Sequence, residues 1–280
     1  MAKVLCSTGS LIGRPNGRDY RLLESFSKEL KCDGFEFMMY TDWYEKIPDI
    51  IAVVRGSGIS VPAYHAQKSI GENISKGGHD ELEDAFRRFT QNAEMAAALG
   101  AEKMVIHLWD GITSDNNIKS NLKAYAEIRK IADANGLMLL VENVVCNCAD
   151  PYTHWMELLE RYPDVKFIFD TKMAAFHNQL DMLYEDRNAF LWQQGHICHY
   201  HVNDYAGGYM DWVNLRTLLL GRGKLDFDRF FSFIRKIGYD DTFTLEGTAF
   251  DATGSVDFEA LNAEVDFVRS RLYSLRERKP

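Results

Sequence analysis

The sequence is short of the features that mark nucleic-acid binders, membrane proteins and disulfide scaffolds. Basic residues are outnumbered, with 32 Lys and Arg against 41 Asp and Glu and a formal net charge of −9. Phosphate backbones reward the opposite balance, so nucleic acid and anionic membrane are excluded as general partners, while a small local basic pocket is not. No apolar run approaches the ~20 residues of a membrane span. Residues 1–12 lack the basic-then-apolar pattern of a signal peptide, which leaves a cytoplasmic protein as the expectation. Cysteine is sparse and odd in number (Cys6, Cys32, Cys146, Cys148 and Cys198), without zinc-finger or redox spacing. Cys146-x-Cys148 reads as two reduced loop thiols rather than a metal site. There is no P-loop, and Gly221-Arg222-Gly223 is too short and misplaced for a dinucleotide fingerprint. No low-complexity linker divides the chain.

What the chain does contain is one repeated alternation. Its 280 residues are 46% hydrophobic and 26% charged, enough for a large core. Extended stretches are predicted at Val4–Leu11, Gly34–Tyr40, Ile59–Tyr64, Met104–Ile106, Leu137–Val144, Val165–Asp170, Ile197–Val202 and Thr242–Glu246. Between and after them, helical periodicity covers Tyr20–Leu30, Trp43–Val54, Asp80–Leu99, Asn121–Ala134, His154–Arg161, Leu180–Gln194, Asp228–Ile237 and Phe258–Leu275. Gly56-Ser57-Gly58 and Gly100 stop two of these helices, and Pro163 forces the end of another. Eight strand–helix units in unbroken series predict an α/β fold, a single-domain (β/α)8 TIM barrel over residues 1–280.

Polar ligands recur at the carboxyl ends of the strands, the end where α/β barrels bind. Leu139-Leu140-Val141 runs into Glu142, Phe167-Ile168-Phe169 into Asp170, His199-Tyr200 into His201, and Phe243-Thr244-Leu245 into Glu246. Side chains alternate along a strand, so Glu142 shares a face with Leu140, Asp170 with Ile168, His201 with His199 and Glu246 with Thr244. Each is the last inward position before its loop. A lone carboxylate at a strand end is ordinarily a surface residue; four such positions together predict one cation site. His65 and His107 occupy the equivalent places on strands three and four, with structural histidines filling the barrel as the alternative. Carboxylate and imidazole ligands suit Mn²⁺, Zn²⁺, Fe²⁺ or Co²⁺ better than Ca²⁺. Mn²⁺ or Zn²⁺ is the first expectation, with Co²⁺, Fe²⁺ or Mg²⁺ as alternatives.

The set Glu142, Asp170, His201-Val202-Asn203-Asp204, Leu220-Gly221-x-Gly223-Lys224-Leu225-Asp226-Phe227 and Glu246 resembles the xylose isomerase-like barrel superfamily over essentially the whole chain. That superfamily holds sugar and sugar-phosphate isomerases and epimerases together with endonuclease IV-type repair nucleases. The resemblance implies that Glu142, Asp170, His201 and Glu246 are metal ligands, with Glu142 and Glu246 also acid and base around an enediolate. It further implies a small carbohydrate substrate; a homo-oligomer is left open.

The departures matter as much. Where the epimerase branch usually has a substrate-binding His three residues after the Asp, this chain has Met173, preceded by Lys172. The Asp-x-His pair of the nuclease branch is Asp211-Trp212-Val213 here, so a complete three-metal site is not expected. His65, His107, Lys172, Glu36, Trp109 and Asp204 are the substrate-binding candidates, with Glu36 equally readable as a buried, paired carboxylate. His177 reads as a solvated loop histidine, and Gly207-Gly208 as a lid hinge or a plain turn. Three rival readings stay open: an inosose-dehydratase-like lyase, a repair nuclease, and a non-catalytic sugar-binding barrel.

Overall fold

Strand β1 (Lys3–Ser7) pairs in parallel with β2 (Gly34–Met38) on one side and with β8 (Thr242–Leu245) on the other. Between them stand β3 (Ala63–His65), β4 (Lys103–Ile106), β5 (Met138–Glu142), β6 (Lys166–Asp170) and β7 (Ile197–Val202), each beside the next. The sheet is therefore a closed barrel. The computed structural model describes residues 1–273. The last two positions of the helix expected at Phe258–Leu275 lie outside the described residues.

Outside the barrel run α1 (Leu23–Phe26), α2 (Ile47–Ser57), α3 (Ser69–Lys76), α4 (His79–Leu99), α5 (Ile118–Ala134), α6 (Pro151–Arg161), α7 (Thr171–Phe176), α8 (Phe190–Gln193), α9 (Phe227–Ile237) and α10 (Phe258–Tyr273). Their positions follow from local chemistry. In α4, Ala85, Phe89, Ala93 and Ala96 repeat every three or four residues and form the buried face. Gly100, at φ +80°, ends it in a left-handed turn that other residues adopt at a cost. In α9 the carboxylate of Asp226 accepts the Arg229 amide, and Phe227, Phe230, Phe231 and Ile234 turn inward.

Several stretches differ from the sequence expectation: Tyr20–Leu30 is the four-residue α1 between the 3₁₀ turns Tyr20–Leu22 and Ser27–Glu29, and β3 begins only at Ala63. Helix α3 fills what reads as loop after strand three. Helix α7 starts immediately after β6, because the Asp170 side chain accepts the Met173 amide and caps it. The expected helix at Leu180–Gln194 is instead two 3₁₀ turns, Leu180–Tyr184 and Asp186–Asn188, and the short α8. Buried Asn188 donates to the Met182 carbonyl, giving that backbone a partner other than a helical amide. Among the described residues, no helix is long and apolar enough to cross a membrane.

Two cores result. The larger lies between barrel and helices, where Trp155 stacks on Phe167 at 4.2 Å between centroids. Inside the barrel, Val105, Leu140 and Ile168 form a small apolar plug. Parity then sets what lies beyond it. Two residues after Leu140 and Ile168, on the same faces, come Glu142 and Asp170.

Candidate functional site

Because β6 and β7 pair Asp170 with His201 and β7 pairs His201 with Thr244, the last inward side chains of β5 to β8 converge. The Nδ1 of His201 lies 3.3 Å from Glu142 Oε1, 3.7 Å from Glu246 Oε1 and 3.9 Å from Asp170 Oδ2. Glu142, Asp170 and His201 are buried, and Glu246 is slightly exposed at the rim. Three carboxylates aimed at one imidazole nitrogen out of water form a strong field for positive charge. Burial alone would favour neutral imidazole, yet Glu36, Glu246 and Glu142 raise the pKa of His201 well above its ordinary value. Burial also raises Asp170; Lys172 opposes, and the adjacent Glu142 and Glu246 reinforce it. Burial works against the charge on Glu142, but His107 and His201 hold its pKa well below the carboxylate range. Glu246 is likewise lowered against burial, by His201, Lys68 and Lys172.

The donor set fits a divalent cation. Ligand atoms of Glu142, Asp170 and His201 lie within 4.8 Å of one another, and mixed oxygen and nitrogen donors suit Mn²⁺, Zn²⁺, Co²⁺ or Fe²⁺. A supporting shell fixes them. Asn203 Nδ2 donates to Asp170 Oδ2 at 2.7 Å and to Glu246 Oε2 at 2.9 Å. Asn143 brackets the Asp170 backbone, accepting its amide and donating to its carbonyl. Glu36 accepts from His201 Nε2 at 2.9 Å, which leaves Nδ1 facing the carboxylates.

His65 and His107 stand on the far side of Glu142. His65 Nδ1 lies 2.8 Å from the Ala66 carbonyl and His107 Nδ1 2.8 Å from Asp110 Oδ2, so each ring turns Nε2 towards Glu142 Oε2, at 3.3 and 2.8 Å. Neither contact has hydrogen-bond alignment: both Nε2 atoms and Glu142 Oε2 are buried without such a partner. Three orphaned atoms around one point make a second position where a cation fits. Burial disfavours the imidazolium of His107, but Glu142 and Asp110 raise its pKa to about 9.

Other expected site residues have their polar atoms engaged within the protein, each for a packing reason. Glu36 is inaccessible to substrate; His201, His199 and Thr244 occupy its two oxygens. Trp109 is fully buried, its indole N–H donating to the Val144 carbonyl and its ring edge-on to His154. Asp204 is fully buried as well, accepting the amides of Tyr205, Gly221, Gly223 and Leu225. It ties down the long loop after β7, and a Cβ at Gly223 would strike its carboxylate. The polar atoms of Trp109 and Asp204 are thus engaged within the protein.

His177 is buried rather than solvated, accepting the Cys146 amide through Nε2. Asp115, Cys146 and His154 also cluster, but both Asp115 oxygens are filled by three loop amides and His154. That cluster fastens the loop after β5. Gly207-Gly208 is irregular backbone just before a turn, and the Tyr205 hydroxyl donates to the Gly208 carbonyl at 2.8 Å.

A cavity of about 570 Å³ opens above the cluster, lined by Lys68, His107, Asp110, Asn147, Lys172 and Met173 among others. Comparable clefts between α8 and α9 and between α4 and α5 belong to the outer helical surface, away from the carboxylates. Lys172 is nearly buried and donates to Thr217 Oγ1 at 2.9 Å. The sequence reading assigns no role to Lys68, Asp110 or Asn143, and it includes Asn203 only as part of a motif. They sit one to three residues beyond a ligand or a strand-end histidine, and that adjacency is the signal that would have found them.

The family model described as xylose isomerase-like TIM barrel matches residues 25–270. Among solved structures, D-psicose 3-epimerase with D-tagatose from Clostridium cellulolyticum H10 superposes with a TM-score of 0.71 at 17% identity, covering 96% of this chain and 99% of that one. D-allulose 3-epimerase from Methylomonas sp. in complex with D-allulose gives 0.69 at 12% identity, with 96% and 97% covered. The apo form of 3-keto-D-glucoside 4-epimerase from E. coli gives 0.66 at 16%, with 96% and 100% covered. No curated protein matches the sequence.

Proposed function

The chain belongs to the xylose isomerase-like TIM barrel family, and from that premise we propose that it is a divalent-metal-dependent isomerase or epimerase of a small sugar or sugar phosphate. One observation carries the reading: Glu142 and Glu246, from non-adjacent strands, both reach the same His201 nitrogen, with Asp170 completing the set. Glu142, Asp170, His201 and Glu246 would hold the metal. When bound, such a cation acidifies the C–H beside a carbonyl and stabilises charge developing on oxygen.

The protein's own groups support the proton movement. His107 and His201 keep Glu142 ionised, and His201, Lys68 and Lys172 do the same for Glu246. One ionised carboxylate can remove a proton, and the proton is returned either by that same group, now protonated, or by its partner once solvent has protonated it. Asn203 holds Asp170 and Glu246 in fixed relation, so the second carboxylate does not drift from the first. Plugged barrel walls and the Glu36 layer close the site from below, leaving the cavity as the route in. The sugar epimerases that share the fold support a ketose-sized substrate. The nuclease reading lacks donors: Met173 and Val213 stand where that branch has histidines, and Val213 points to solvent at 87% exposure.

The test is incubation of the Mn²⁺-loaded protein with ketoses, sugar phosphates and inositol derivatives in deuterated water. Deuterium entering a product is the expected result. Glu142→Gln and Glu246→Gln should each slow it by about 10²–10⁴-fold while leaving the circular dichroism spectrum unchanged. Full activity in either variant would remove the proposed proton transfer.

A further inference from the structure

Two lysines line the cavity, and lowering the pKa of Glu246 does not require that either ammonium be left without an ion-pair partner there. Lys68 precedes α3, three residues beyond His65; Lys172 is in the first turn of α7, two residues beyond Asp170. Both line the cavity above the carboxylate cluster. The positive end of a helix disfavours a cation, so neither place suits a lysine for the sake of its helix.

Nor are they held as ordinary ion pairs. Among the described residues neither ammonium lies within 4.0 Å of a carboxylate, whereas the carboxylates have closer partners of their own: His107 at 2.8 Å for both Asp110 and Glu142, and Asn203 for Asp170 and Glu246. The polar contact made by the Lys172 ammonium is with the neutral Thr217 hydroxyl. Burial opposes the charge on Lys68, but Glu246, Glu142, Asp110 and Asp170 raise its pKa, so it remains an ammonium. On a chain of net charge −9, two lysines lining one cavity place basic side chains where an anion could meet them.

We propose that Lys68 and Lys172 form a subsite for an oxyanion, a carboxylate or a phosphate, carried by the substrate away from its metal-chelated end. The inference rests on the isomerase reading and narrows its substrate to sugar acids or sugar phosphates over neutral ketoses. An ammonium offers three donors on a flexible stem, and two of them can clamp an oxyanion without fixing its shape. Met173, which also lines the cavity, offers that end no hydrogen-bond donor.

The experiment compares D-fructose, D-fructose 6-phosphate and the corresponding 6-carboxylate, D-fructuronate, with the Mn²⁺-loaded full chain in deuterated water. One of the two anions should exchange its C–H with kcat/KM at least tenfold above the neutral ketose, and which one does so identifies the oxyanion. Lys68→Met and Lys172→Met should each raise the KM of that anion on the order of tenfold or more, and lower the preference for anion over neutral sugar. Lys68→Arg, which keeps the charge, should restore part of the loss. Calorimetric binding of the same anions reads the effect without turnover, and thermal unfolding confirms that each variant is folded. The inference is overturned if D-fructose exchanges as well as both anions, or if lysine replacement slows neutral and anionic sugars in equal proportion, because the lysines then serve only the metal ligands. Exchange with none of the three would overturn the isomerase reading and this one with it.

Discussion

The Glu36 carboxylate has no route to a substrate, yet it decides which nitrogen of His201 is available. Its Oε1 accepts the His201 Nε2–H at 2.9 Å and its Oε2 accepts from His199 and Thr244. Removing its charge while keeping its size should loosen that orientation. Glu36→Gln should weaken Mn²⁺ binding by about 10–100-fold, read by titration calorimetry; unchanged affinity would make Glu36 mere filling.

Glu264 provides a second test at this scale. It is buried, one oxygen accepts the Leu220 amide, and the other has no partner. Burial raises its pKa to about 7, against the Leu220 hydrogen bond and with help from Asp204. A carboxyl whose folded pKa is raised binds its proton more tightly in the native state. Its cost is absent below the unfolded value near 4.5, grows as pH rises, and levels off above 7. Glu264→Gln should therefore stabilise the protein more at pH 8 than at pH 5, and parallel denaturation curves at the two pH values would refute the assignment.

Among the elements, α3 sets how β4 ends. Gly71 lies against the end of that strand so closely that a Cβ there would collide with the His107 carbonyl oxygen. Ser75, one turn on, accepts from Asn121 of α5, which also reaches the Leu108 carbonyl. Helix, strand end and neighbouring helix are thus fastened at one point, and His107 is aimed from there. Gly71→Ala should cost about 1–3 kcal/mol, seen as a lower urea midpoint, and should disturb His107 more than His201. A neutral effect would mean that α3 can move away without consequence.

For the whole molecule, closure of the barrel concentrates three acidic groups on the Nδ1 side of His201, a repulsion that a bound cation would relieve. A ligand that binds only the native state stabilises it by about 2.7 kcal/mol at one hundred times its dissociation constant. Mn²⁺ or Zn²⁺ should accordingly raise Tm by several degrees, and His201→Ala should abolish most of the shift. Equal shifts in the two proteins would place the ion elsewhere.

The barrel was legible in the sequence because its signals are local. Apolar runs such as Leu139–Val141, and stops such as Gly100, act within a few residues. Strand parity, a period of two, carried the inward direction of Glu142, Asp170, His201 and Glu246. Loops obey no such period. Trp109 and Asp204 look from the sequence like rim residues available to a sugar; only the folded chain gives them the Val144 carbonyl and four loop amides. Helix α3 was hidden for a related reason, since its packing around Gly71 is decided by β4 and not by its own pattern. The two cavity lysines are 104 positions apart in the chain, and closure of the barrel alone sets them over one cluster. Sequence determined which side chains point inward, because that depends on neighbours along the strand; tertiary structure decided which of them meet, because that depends on neighbours across it.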